Sequence, residues 1–555
     1  MRTTATHPPI RRLLAVLGAL ALLAGACGGS DDSDDASTPA SDGDGTDAPS
    51  PVTGGEVVIG LDAESDGYNP ATNRFAHAGH TVASAVYDPL AAYNDEGVAV
   101  PYLAESIEPN DSFDEWTITL PEGVEYHNGE PVTAEAVVEV LEAHQEGLVT
   151  SSTITDISGF EVVDPLTFRV TTARPWANFP SVLTTQVGYV MAPSMLTDPD
   201  SAANPVGTGP FRFESWEQGE SWTGVRFDDY WQTDEEGNQL PYLEEIEFRF
   251  IPDPQARQQA LENGDVDLIH TRNPNAILEL RDSDFQMVEW DRGEEDLISL
   301  NTEQPPFDNE HARRALAHAT DQEAFIRDVL DDVYVEANGP FALGQAGHLE
   351  DTGYPEYDPE LAEEALAQYT AETGQDTLSF TYTGSDDVFN LESQRYLADM
   401  WAEVGIQAEV EAIPQSEVIF RAVTGQYEAI DWRNWGQPEP DADFPWWHSS
   451  SVRPPEEGIS VNIARFADDE VDEALETARG TVNEEVADEA YQTVNSPLSA
   501  RRSPTSGWAG SSGPSPPRPM CTAGRWPART GRCRPSATSR SSPISGSADA
   551  LRARR

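Results

Sequence analysis

EIEFRFIPDPQARQQALENGDVDLI, residues 245–269, carries the fold class. Ile246, Phe248 and Phe250 alternate with polar residues, the period-two signature of a half-buried strand. PQARQQALENG then reads as a helix that stops at Gly264, and DVDLI returns to strand. The pattern recurs on either side. GGEVVIGL reads as a buried strand. Leu397, Met400, Trp401 and Val404 have helical spacing, Gly405 ends that helix, and Ile406, Ala408, Val410 and Ala412 alternate again. Strands alternating with helices predict an α/β protein with crossover connections. The body, residues 56–495, is long enough for two or more domains.

Charge narrows the function. The chain has no lysine, and its body holds 19 arginines against 90 acids. That balance predicts a hydrated acidic surface, as in salt-adapted proteins, and no affinity for nucleic acid or anionic lipid. The body contains no cysteine, so neither a disulfide framework nor a thiolate metal site is available within it. The sequence has no GxSxG, P-loop or HExxH pattern. Carboxylate pairs carry no information in so acidic a chain. The reading is a protein that is not an enzyme and has no cofactor.

The N-terminus reads as an export address. Arg11 and Arg12 precede an apolar run from Leu13 to Leu23, then LAGAC ends at Cys27. A run this short describes a signal peptide, not a membrane span. Its end resembles the bacterial lipobox, with Ala24 where leucine is commoner, and the resemblance implies lipid on Cys27. The twin arginine leaves both the Sec and the Tat route open. Residues 28–55, rich in Gly, Ser, Asp and Pro, read as a disordered tether reaching roughly 30 Å.

Longer motifs carry a family resemblance. VYDPLAAYNDEGVAVPYLAES, WTITLPEGVEYHNGEPVTAEAV, NPVGTGPFRFESW, RFDDYW, ALENGDVDL, LISLNTEQPPFDNEHARRALAHATD and YDPELAEEAL follow one another between residues 56 and 495. Together they resemble the family-5 extracellular solute-binding proteins, the dipeptide, oligopeptide and nickel receptors of ABC importers. The resemblance implies a two-lobed, periplasmic-binding-protein-like (class II) fold that closes on a ligand. Lobe I would comprise 56–85 and 210–297, with an extra domain at 86–209. Lobe II would cover 298–480, and 481–495 would begin the return to lobe I. Partners would be a peptide-like ligand and the permease subunits in the membrane, reached by a monomer anchored through Cys27. Metal chelates and sugars remain alternative ligands within the family, and a non-transport cell-surface interaction protein is the alternative outside it.

Candidate residues follow from the motifs. Gly207, Gly209 and Pro210 fit a tight, structural chain reversal near a lobe junction. Asn128-Gly129 predicts a turn, and Thr133 a helix cap. YEAIDWRNWGQPEPDADFPWWHSS, residues 427–450, is the segment richest in ligand-type side chains: Asp431, Trp432, Arg433, Trp435 and Asp441. In peptide-binding members an Asp of this loop pairs with the ligand's amino group, and here Gly436 or Gln437 stands there. Arg433 suits a ligand carboxylate or an acidic neighbour. Asn69 and Asn301 match cleft positions of the family. His77 and His80 could share a helix face, but with no third ligand apparent they read as polar surface, and no metal site is expected.

From Ser496 the chemistry changes. Residues 496–555 hold eleven arginines and a single acid, Asp549, with Ser, Pro and Gly prominent. Codons for residues 496–509 can be chosen so that the frame one nucleotide earlier reads QPALGAAVPYLWLG. That resembles the strand-forming segment with which the family returns to lobe I. The expectation is therefore a frameshift near codon 495, with a basic, disordered extension as the alternative.

Overall fold

The computed structural model describes residues 52–496 except 74, 95, 148–149, 290–294, 435–437 and 455–457, and the backbone strands 505–510 and 521–524. Cys27, the tether to residue 51 and Trp435 therefore lie outside the described residues.

The opening segment forms as its sequence predicts. Strand Glu245–Phe250 buries Ile246, Phe248 and Phe250. Asp253 caps helix Pro254–Asn263 by accepting from the Ala256 amide at 2.7 Å, Pro254 sits at its first position, and Gly264 ends it in the left-handed region at φ +81°. The chain re-enters the sheet as Leu268–Thr271. Strand Glu56–Leu61 lies between these two strands, parallel to both. Lobe I is thus a seven-stranded sheet ordered 286–288, 521–524, 268–271, 56–61, 245–250, 221–226, 211–217.

Lobe II is a six-stranded sheet ordered 335–336, 505–510, 295–300, 429–434, 379–385, 407–413. The chain enters this second sheet at Glu295. Helix Val388–Glu403 runs between two parallel strands of this sheet and buries Leu397 and Trp401. Helix Glu484–Val494 packs Tyr491 and Val494 into lobe II beside Phe341. Residues 505–510 also pair within this sheet, and 521–524 pair with the sheet of lobe I.

The extra domain is an antiparallel four-stranded sheet, 106–109, 115–119, 167–172, 157–164, covered by helix Ala134–Glu146. Thr133 caps that helix, accepting from the Ala136 amide at 3.2 Å, and Gly129 turns the preceding chain at φ +81°. Its Val140, Tyr189, Met191 and Met195 join the lobe I core around Trp222, Phe248 and Tyr87. The domain keeps its own core around Trp116 and Phe168, and these four side chains fasten it to lobe I. Gly207 and Gly209 sit at the seam. A Cβ on Gly207 would lie 2.1 Å from the Val86 carbonyl oxygen, and one on Gly209 2.5 Å from the Val86 carbonyl carbon. The glycines are needed for close backbone approach; neither has positive φ.

Candidate functional site

The two lobes meet at the carboxyl end of strand Leu268–Thr271, where the next residue is Arg272. Its guanidinium lies 3.6 Å from Asp296 of lobe II, and its carbonyl accepts from the Tyr334 hydroxyl of lobe II at 2.6 Å. Asp296 stands opposite Arg433 in the antiparallel register, and the Arg433 Nε donates to it at 3.0 Å. One half-exposed carboxylate thus faces an arginine from each lobe. Such a pair adds little stability in water, and the Arg272 and Arg433 side chains keep 20% and 27% of their area exposed.

Lobe I adds a second layer. Asp62 follows the buried end of strand Glu56–Leu61, and His77 opens helix His77–Val86. The His77 ring lies against His270 with centroids 4.0 Å apart. His270 is buried, and neither of its ring nitrogens has a hydrogen-bond partner. Burial, then His77, push the His270 imidazole down to about 3, so it is neutral at physiological pH. Burial alone would raise the Asp62 carboxyl, but His270, Arg257, Arg272 and His77 outweigh it and hold it below the usual carboxylate range.

Asp431 continues the wall in lobe II. It accepts from the Tyr382 hydroxyl, and the space it occupies depends on Gly384. A Cβ there would stand 1.7 Å from Gln394 Nε2 and 2.6 Å from Asp431 Oδ2. Burial, reinforced by Asp296 and Asp387, pushes Asp431 up to about 7. At neutral pH it is partly protonated and can either donate or accept.

The other sequence candidates are placed elsewhere. Asn69 is buried; it donates to the Met195 carbonyl and to Ser201 Oγ, and accepts from the Ala71 amide. Asn301 donates to the Gly425 and Tyr427 carbonyls. Trp432 pairs with Trp446 at 5.9 Å between two apolar clusters of lobe II. Asp441 is buried against Trp176 and Arg479. His77 and His80 are packed rather than displayed on a polar surface: His80 Nδ1 is 3.1 Å from the Tyr189 hydroxyl, with its ring edge-on to Phe75. Among the described residues no group of three or more His, Cys, Asp or Glu could hold a metal ion, and no helix is long and apolar enough to cross a membrane.

Sequence reading missed Asp62, His270 and Arg272. The available signal was arginine itself, which is scarce enough in this body that each one falling just after a strand is informative.

Residues 98–454 match the family model described as bacterial extracellular solute-binding proteins, family 5, middle. The glutathione-binding protein GsiB of Pectobacterium atrosepticum is 26% identical over 420 residues, covering 73% of this chain and 79% of that protein. The nickel-binding periplasmic protein of Escherichia coli is 26% identical over 390 residues, covering 64% of this chain and 71% of the other. Among solved structures, the oligopeptide-binding protein AppA of Bacillus subtilis, in complex with a nonapeptide, superposes with a TM-score of 0.73 at 20% identity. That alignment covers 83% of this chain and 94% of AppA.

Proposed function

Because the chain belongs to the family 5 bacterial extracellular solute-binding proteins of ABC importers, we propose that it captures a peptide-like solute between its lobes and hands it to a membrane permease. Its work is binding, not chemistry. The observation that carries this reading is the array of Arg272, Asp296 and Arg433, contributed by both lobes. An arginine fork matches a carboxylate bidentately, and a solute bridging the lobes favours the closed form over the open one. Asp431 offers a complementary partner for an amino group.

Isothermal titration calorimetry with trialanine tests this. Saturable binding that falls in an Arg433→Met variant is expected. Binding of nickel–histidine with none of trialanine would overturn the peptide reading. A metal chelate is the second reading, and the observation favouring it is the His77–His270 pair, with two unpartnered nitrogens on His270.

We further propose that the mature chain is a monomer held outside the cell through lipid on Cys27, with residues 28–55 as its tether. Intact mass should show diacylglycerol on Cys27, and Cys27→Ser should release the protein into the medium.

The segment from Ser496 we read as frameshifted. Two observations support this. Its composition departs from that of the body. Its backbone at Thr505–Gly510 takes an interior place between Glu295–Leu300 and Val335–Glu336, where a central strand suits apolar residues. With suitably chosen codons the other frame reads YLWLG over residues 505–509, whereas the given sequence has glycine at 507 and 510. Resequencing the locus should find an indel near codon 495; an intact frame would refute the reading.

A further inference from the structure

A second contact joins the lobes through different elements. Its centre is Arg479, the last residue of helix Asp469–Arg479 in lobe II. Arg479 Nε donates to Asp441 Oδ1 at 2.7 Å, Nη2 to Asp441 Oδ2 at 3.3 Å, and Nη1 to Asp156 Oδ2 at 3.1 Å. The guanidinium lies 3.4 Å from the Phe444 ring centroid and 4.2 Å from that of Trp176. Trp176 Nε1 donates to Asp441 Oδ2 at 2.7 Å, and the Ala177 amide donates to the Arg479 carbonyl at 2.7 Å. Asp156, Trp176 and Ala177 belong to the extra domain, which is packed onto lobe I through Val140, Tyr189, Met191 and Met195; Asp441, Phe444 and Arg479 belong to lobe II.

The rim repeats the pattern. Asn178 Nδ2 donates to Glu439 Oε1 at 3.0 Å, and Arg174 bridges Asp156 to Glu476 of lobe II. A cavity of about 260 Å³ lies here, lined by Asp156, Arg174, Phe444, Glu476 and Arg479 among others.

Arg479, Asp441 and Asp156 are 4%, 2% and 6% exposed. Buried charges are tolerated only when pairing and hydrogen bonding are complete, and losing one partner leaves a strongly disfavoured lone charge. A half-made version of this contact is therefore worse than either the sealed or the fully hydrated one. That makes the junction two-state, and it is made between bodies whose relative movement defines the fold's function.

We propose that this junction is a clasp, formed as the lobes close and setting how long the closed form persists. Arg479 and Trp176 are positioning residues in it: they touch each other and the carboxylates, not the Arg272–Arg433 face. The proposal rests on lobe closure but not on which solute is carried.

The test is pulsed electron resonance on the full chain, with native cysteines replaced by serine and spin labels at exposed Val162 and Leu361. Without added solute, the native junction should hold a measurable short-distance population. Trp176→Phe keeps the ring but removes the donor to Asp441, and Asp156→Asn removes one charge; each should raise the ratio of long to short distances at least tenfold. Asp156→Asn keeps the test open if the buried Trp176 position tolerates no change. Arg421→Met, which breaks a surface pair with Glu411 and Glu417, should leave the distribution as it was. Unchanged distances in both clasp variants, or an equal shift in Arg421→Met, would overturn the proposal.

Discussion

Arginine meets acid between the lobes twice, and the two meetings are built differently. At Arg272 and Arg433 the shared carboxylate of Asp296 has a side chain 46% exposed. At Arg479 both carboxylates and the cation are shut away with Trp176 and Phe444 around them. The chemistry is the same, but one carboxylate is half-exposed and the other two are buried. An exposed pair is cheap to break, and its donors can exchange one partner for another. A dry pair resists partial rupture and so holds shape. Receptors of this architecture need both properties, and this chain places them at separate contacts.

Removing the cation from each contact sets the difference on a scale. Arg479→Met strands Asp441 without a counter-charge and leaves Asp156 with Arg174 alone, and should lower stability by about 3–5 kcal/mol, read by urea denaturation. A loss below about 1 kcal/mol would mean that the contact is hydrated and that the comparison fails. Arg433→Met should change stability by less than about 1 kcal/mol while weakening trialanine binding roughly tenfold to a hundredfold, as expected for one charge-assisted contact. Equal effects on folding and binding would erase the distinction.

The smallest expected effect is on pH dependence. Burial, then Asp441, push Glu439 up to about 7 and Asp443 up to about 8, and burial also raises Asp88 and Asp431 to about 7. A carboxyl raised on folding binds more protons folded than unfolded between its two pKa values. Stability therefore falls as pH rises through that window. The melting temperature should be higher at pH 5.5 than at pH 8, by a few degrees. Burial holds His80, His127, His144 and His270 neutral, so they oppose this as pH falls through the ordinary imidazole range, and Asp62, held low, opposes it nearer the ordinary aspartate range. A melting temperature that rises steadily to pH 8 would show these carboxyls to be hydrated.

The regular elements were legible because their causes are local. The alternation at 246–250, the stop at Gly264 and the cap at Thr133 each depend on residues a few positions apart. The site was legible only in part. Arg433 was named, and its acidic partner was anticipated as a type of residue, though not as Asp296. Asp62, His270 and Arg272 were not named, since they converge across more than 200 residues of chain through strand order alone. Asn69 and Asn301 mark the opposite difficulty. An amide that braces loop carbonyls and one that faces a ligand are the same letter in a sequence. Asp441 and Arg479 lie 38 residues apart with nothing local to link them, yet they form the most fully bonded ion pair of the second contact.

Lobe I imposes a schedule on the molecule's birth. Its strand Glu56–Leu61 pairs with Glu245–Phe250, and Leu268–Thr271 pairs in turn with Cys521–Gly524. At roughly 5–20 residues per second of synthesis, the first of those partners emerges on the order of ten to forty seconds after residue 56, and the last later still. When the chain has been made from Glu295 through Val494, lobe I still lacks Cys521–Gly524 and lobe II still lacks its inner strand Thr505–Gly510. A chain that cannot finish its leading lobe until its last strands arrive remains threadable for longer than one that folds from the front.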